Sequence, residues 1–405
     1  MDKISELIKR GARIPNPNSV TIGEEVDIER IEANGLMLYP GTRIAGEKTY
    51  IAQGALIGKE GPVTVENCYV GPMVQLNGGY FNGSTFLGKV ICGSGSHVRQ
   101  GTILEEKVSI AHAVGLKQTI LFPFVTLGSL INFCDCLMSG GTSRKNHSEV
   151  GSSYIHFNFT PNQDKATPSL IGDVARGVML NQVPIFLGGQ GGLVGPCRIA
   201  YGTVLAAGTI CRNDQLTEDN LVFGEKPHSG KIPYVHGVYH GLKRVLKNNF
   251  IYIGNLFALQ QWYAQVRGQF IGADMPLALF EGLKETLRSA IEERILQLKR
   301  LNHNLSATQA VDGLRFELPE RWEKIESVML SVSTYEGVSE HRDKFMKIIE
   351  RQLSFQGKSY LQVIQSLDIK DTAVGTRWLQ DIVSRLVNEV TECLPSMNHR
   401  PAEQR

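Results

Sequence analysis

The sequence predicts a parallel β-helix followed by an α-helical region, and three observations carry that expectation. Residues 98–122 place Val98, Leu104, Ile110, Leu116 and Phe122 six apart, with Thr102, Val108, Val114 and Ile120 four residues after each of the first four. This period is neither that of a helix nor the alternation of an ordinary strand. It belongs to hexapeptide solenoids, in which each unit supplies one short strand and one turn and three units close a triangular coil. The 42 glycines concentrate before residue 241, where coil corners call for positive φ. After residue 241 the hexads stop and apolar residues recur at spacings of three and four. One coil cannot bury its own inward residues, so coils must stack.

Taken in order, residues 1–11 read as a short helix with Ile4, Leu7 and Ile8 on one face, ended by the prolines at 15 and 17. Hexads begin near Val20 and return as Ile51, Ile57, Val63 and Tyr69, and the phase shifts by one at Val70. Residues 77–88 read as an irregular coil or excursion. The polar stretches 140–147 and 160–168 read as projecting loops. Later coils carry Val178, Ile185 and Val194, then Ile199, Leu205 and Cys211. Leu279, Leu283, Leu287, Ile291, Ile295 and Leu298 form one helical stripe. Residues 305–316 read as a linker, Pro319 as the opening of a further helical region, and 371–393 as the last helix. The expected organisation is 1–18 helix and linker, 19–236 β-helix, 237–303 long helices packing on it, 304–396 a helical domain, and 397–405 a disordered tail.

Composition narrows the function classes. A formal charge of +2 and the lack of a basic cluster interleaved with aromatics argue against nucleic acid. Seven cysteines without CxxC spacing suit buried thiols in a reducing cytoplasm. The mixed-charge N-terminus has no signal-peptide core. The uncharged run 118–134 carries Pro123, Gly128 and Asn132 and begins in the hexad phase, so it reads as buried coil rather than a membrane span.

Because the interior of such a coil is packed, function must lie on outward faces, corners or subunit seams. The polar residues out of phase include Arg99, His112, Lys117, His147, His156, Asn158 and Lys165. Arg99 and Lys117 are 18 residues apart, one full coil, so they should stack on the same face.

Val98-Arg99-Gln100-Gly101-Thr102 resembles an L-R-P-G-T motif, and residues 114–121 resemble the V-x-V-K-K-S-T-L that follows it. Asn158-Phe159, Lys165, Thr167 and Ile171-Gly172-Asp173 match a sugar-binding loop loosely, and residues 205–209 resemble a final I-G-A-G-T coil. These motifs belong to the acetyltransferase domain of the bifunctional bacterial enzymes that make UDP-N-acetylglucosamine from glucosamine 1-phosphate, within the hexapeptide-repeat acyltransferases. The resemblance spans roughly residues 90–230. It implies a left-handed coil, a homotrimer, a sugar phosphate or nucleotide sugar as acceptor and acetyl-CoA as co-substrate, with no metal. It implies Arg99, Lys117, Asn132, Asn158 and Lys165 as substrate-binding residues, and Gln182, Ala206, Ala207 and Lys226 along the acetyl-CoA path. Residues ahead of the repeats show no glycine-rich, lysine-containing nucleotide loop, so uridylyl transfer is not expected.

One departure bears on mechanism. Ser129 stands at the family's catalytic histidine, and Asn132 at the tyrosine three later. A serine hydroxyl cannot deprotonate an amine unaided near neutral pH, so His147 or His156 is expected as the base. The alternative is a non-catalytic protein that binds a UDP-sugar or sugar phosphate or serves in assembly. The spacing of His97, His112, His147 and His156 does not reproduce a three-histidine zinc site.

Overall fold

The computed structural model describes residues 2–224, 230–231, 233–234, 238–239, 241–306, 313–356 and 359–398. It is a parallel β-solenoid followed by a helical region, as the repeat predicts. Its coils present three faces. Face one is a ten-stranded parallel sheet that includes Ser109–Ile110, Thr126–Leu127, Glu149–Val150, Phe186–Leu187 and Val204–Leu205. Face two includes Gly79–Asn82, Ser96–Val98 and Ile155–Phe157, and face three includes Ser84–Phe86, Thr102–Leu104 and Ser169–Ile171. Gly115–Leu121 and Asn132–Met138 run round the corner between faces two and three and join them into one sixteen-stranded sheet.

The hexad phase holds through four units and then slips. Val98, Leu104, Ile110 and Leu116 point inward and are at most 1% exposed. Leu104 then pairs with Leu121, not Phe122, and Ile103 with Ile120. The coil turning at Gln118 (φ 51°) is one residue shorter. Thr119 therefore takes the place of Thr102, while Ile120 and Phe122 join the apolar layer outside face three. Tyr69 likewise lies outside, and Val70 is the interior residue. Residues 77–88 form a regular coil rather than an excursion. Val178 follows a short helix and packs under the helical region, and Val194 is only half-buried on face two.

Face three is buried on both sides, which is why its strands read as near-continuous apolar or small residues. The helices cover it. Apart from α1 (Lys3–Lys9), they are α2 (Val174–Gly177), α3 (Leu242–Gln261), α4 (Leu277–Ser306), α5 (Gly313–Glu320), α6 (Trp322–Ser333), α7 (Ser339–Gln356), α8 (Tyr360–Gln365) and α9 (Ile369–Cys393). α4 lies on face three, with Thr85 Oγ1 2.8 Å from Thr286 Oγ1 and Tyr69 Oη donating to Glu285 Oε2 at 2.6 Å. Gly282 permits that approach, since a Cβ there would sit 2.1 Å from the Tyr69 ring. One apolar cluster runs from face three through α3 and α4 to α9. At the N-terminal end α1 caps the first coil. Leu7 enters the interior, and Lys3 Nζ donates to the carbonyls of Gly23, Glu24 and Val26 at 2.7–2.8 Å.

Several expected connections differ. Residues 140–147 form a small antiparallel hairpin, Gly141–Ser143 with Asn146–His147. Its Arg144 folds back, donating to Phe124 O at 2.7 Å and Thr126 Oγ1 at 2.8 Å. The 160–168 segment does not project. Asn304 Nδ2 donates to Asn162 O at 2.8 Å, Tyr239 Oη to Asp164 Oδ2 at 2.9 Å and Asn249 Nδ2 to Ala166 O at 3.0 Å, which ties it to α3, α4 and the residues just before α3. Leu314, Arg315 and Phe316 are helical rather than linker, and Pro319 lies inside α5 instead of opening a helix. The expected tail falls outside the described residues from 399 onward.

Candidate functional site

Register decides which polar residues meet. On face two, Phe81, Val98, Leu116, Phe133, His156 and Leu193 form the inward row. The flanking rows point outward. One runs Tyr80, His97, Gly115, Asn132, Ile155, and the other Asn82, Arg99, Lys117, Cys134, Phe157. Arg99 and Lys117 thus lie on adjacent coils of one face, as their spacing predicts; Arg99 N donates to Leu116 O at 2.9 Å. Arg99 Nη2 reaches Cys134 Sγ at 3.9 Å. Burial and Asp135 push the Cys134 thiol up, while Arg99 and Lys117 pull the other way. Among the described residues neither cation has an ion-pair partner. Between them and the next corner Gly115 leaves a hollow: a Cβ there would meet only Ile131 O at 3.8 Å and Asn132 Oδ1 at 3.9 Å.

The corner between faces one and two carries a second row. Strand register and the bonds Leu130 N to His112 O, Ser153 N to Ser129 O, Gln190 N to Ser152 O and Gly208 N to Gly189 O align His112, Ser129, Ser152, Gly189 and Ala207. Ser129 Oγ lies 2.8 Å from His112 Nδ1, and the imidazole is exposed. Ala206 and Ala207 sit on this same edge, three coils from Ser129. The sequence held the clue: His112 precedes Ser129 by 17 residues, one short coil.

At the corner between faces two and three, Asp135 (φ 57°) is buried and accepts from Arg294 Nη2 at 2.6 Å and Asn158 Nδ2 at 2.7 Å. Thr167 Oγ1 donates to Asn158 Oδ1 at 3.1 Å. The Asn158 amide is therefore engaged at both ends and holds the loop, and Lys165 nearby is exposed.

The two histidines expected as base are elsewhere. His156 occupies the inward row, where a substrate has no access. It is 4% exposed, lies 2.8 Å from Ser169 Oγ through Nε2, and burial pushes it down to about 4. His147 lies in the hairpin between faces three and one, 3.6 Å from Glu149 Oε2. Gln182 is on that same edge, its carbonyl accepting from Gly141 N at 3.0 Å and its amide donating to Asn181 Oδ1 at 2.7 Å. The width of face one separates both from Ser129 and from Ala206 and Ala207. Lys226 lies outside the described residues.

No protein-family model matches the chain. The bifunctional protein GlmU of Thermotoga maritima is 27% identical over 224 residues, 53% of this chain and 42% of that protein. That of Thermosipho melanesiensis is 28% identical over 236 residues, 58% of this chain and 46% of that protein. That of Fervidobacterium nodosum is 28% identical over 221 residues, 55% and 43% respectively. The chain spans less than half the length of these curated relatives. No helix among the described residues is long and apolar enough to cross a membrane. Over about half its length, then, this chain is a left-handed, hexapeptide-repeat β-helix protein similar to the bifunctional GlmU proteins.

Proposed function

We propose that face two, from the His112–Ser129 corner to the Arg99–Lys117 row, is the acceptor site of an acetyl-CoA-dependent N-acetyltransferase acting on an amino-sugar phosphate or its nucleotide. The observation that carries this reading is the 2.8 Å contact between Ser129 Oγ and His112 Nδ1. It brings an imidazole beside the position that the resemblance assigns to the base. In the tautomer with Nδ1–H donating to Ser129, Nε2 holds the lone pair and accepts the amine proton. The amine nitrogen bonds to the thioester carbonyl carbon, the C–S bond breaks, and the sulfur leaves as a thiolate. Arg99 and Lys117 hold the phosphate, Asn132 and the Gly115 hollow take the sugar, and Lys165 supplies a further cation. The small residues from Ser152 to Ala206 and Ala207 suit a pantetheine arm approaching along the corner. Asn158 acts by positioning its loop.

A homotrimer is part of this reading. Faces one and two expose Ile91, Phe186, Val204 and Leu221, and Ile155, Phe157 and Ile210, each at least 36%. Neighbouring subunits would cover them. A cytoplasmic location fits the seven free cysteines.

Thiol release from acetyl-CoA in the presence of glucosamine 1-phosphate tests the proposal. Turnover that is lost when Arg99 and Lys117 are both replaced by alanine supports it. Binding of sugar phosphates without turnover on any amino sugar would replace it with the non-catalytic binding protein.

A further inference from the structure

Two rings flank the cation row, and the reading above leaves them without a role. Tyr80 and His97 occupy the outward row of face two on successive coils, with centroids 5.3 Å apart and planes at 58°. His97 is exposed and Tyr80 half-buried. Tyr80 Oη donates to Glu66 Oε2 at 2.8 Å, which fixes its ring on the face. His97 shares a coil with Arg99, and Tyr80 lies on the coil before. The acceptor end lies the other way, at Gly115 and Asn132 on the two following coils. The phosphate clamp therefore sits in the middle of a continuous outward track. From Tyr80 to Asn132 is three coil steps, roughly 14 Å at the usual strand spacing. A hexose phosphate anchored on Arg99 and Lys117 reaches toward Asn132 and leaves the rings uncovered. A nucleotide sugar fills the track in both directions, with its base against the His97 ring.

We infer that the acceptor is a nucleoside-diphosphate amino sugar, its diphosphate on Arg99 and Lys117 and its base stacked on His97, with Tyr80 supporting that ring from behind. This rests on the clamp assigned above. Base–aromatic stacking tolerates many bases, so the rings specify a nucleoside without choosing which one.

Calorimetric titration of the full chain with inorganic pyrophosphate and with the uridine, cytidine, adenosine and guanosine diphosphates tests it. At least one nucleoside diphosphate should bind about tenfold or more tighter than pyrophosphate. His97→Ala should remove that difference while leaving pyrophosphate affinity unchanged, and His97→Phe, which keeps a ring, should restore it. Equal affinity for pyrophosphate and all four nucleotides overturns the nucleoside seat and leaves the clamp standing. So does a His97→Ala variant that weakens both kinds of ligand alike. Failure of pyrophosphate and nucleotides alike to bind overturns the clamp, and this inference with it.

Discussion

The Ser129 hydroxyl lies 2.8 Å from Nδ1 of His112, across the boundary between two stacked coils. An exposed imidazole is thereby held by a residue that cannot itself act as a base. His112→Ala should lower kcat for acetyl transfer by roughly 10²–10⁴-fold, with little change in the KM for the acceptor. Ser129→Ala, which frees the ring, should cost less, and Ser129→Thr should recover most of the loss. Steady-state kinetics checks this; an unaltered kcat in His112→Ala would remove His112 from the mechanism. His147→Ala and His156→Leu, compared at equal folded fraction, should leave kcat within about twofold if neither ring touches substrate.

Asp135 and Arg294 form the buried ion pair that joins α4 to the corner behind Lys117. Arg294→Met leaves the Asp135 carboxylate buried with only the Asn158 amide, and should destabilise the protein by about 3–5 kcal/mol. Adding Asp135→Asn removes the stranded charge and should recover part of that loss. Urea unfolding of the two single variants and the double variant measures the coupling. Simple additivity would mean that the pair does not hold this corner.

Two buried groups should give stability opposite pH slopes. His156 is pushed down from 6.5 to about 4 by burial, so below pH 6.5 the unfolded chain takes up a proton that the folded chain refuses. Stability therefore falls as pH drops from about 6.5 to 4, by about 3 kcal/mol over the window. Glu105 accepts from Tyr263 Oη at 2.6 Å, and burial pushes it up from 4.5 to about 7 against the pull of Arg267. Here the folded chain keeps a proton that the unfolded chain releases, so stability falls as pH rises from about 4.5 to 7. His156→Leu should flatten the first slope and Glu105→Gln the second, in urea midpoints taken from pH 4 to 8. Slopes that persist in both variants would assign the pH dependence to other groups.

How much was legible follows from what each signal depends on. The hexads are local, because each inward residue answers only to its own unit. Val98, Leu104, Ile110 and Leu116 could therefore be assigned from spacing alone, and so could the Arg99–Lys117 stack. The phase past Leu116 could not. One residue missing at the Gln118 corner turns Phe122 outward and Leu121 inward, and only pairing with the preceding coil reveals it. The same holds for His156: a polar residue after the 140–147 hairpin looks outward by composition, but register puts it between Phe133 and Leu193. The hairpin carrying His147 was visible as polarity, whereas the edge it occupies depends on where the coil closes.

The sequence by itself determined that this chain winds into stacked coils and that two cations meet on one outward face, because a fixed repeat encodes a fixed rise and rotation. Only the tertiary structure decided which face the helices cover, that His112 rather than His147 or His156 stands beside Ser129, and that Tyr80 and His97 extend the same track. Those relations join residues on different coils or different elements. They are set by stacking register and by the packing of α4 against face three through Gly282, which no local spacing records.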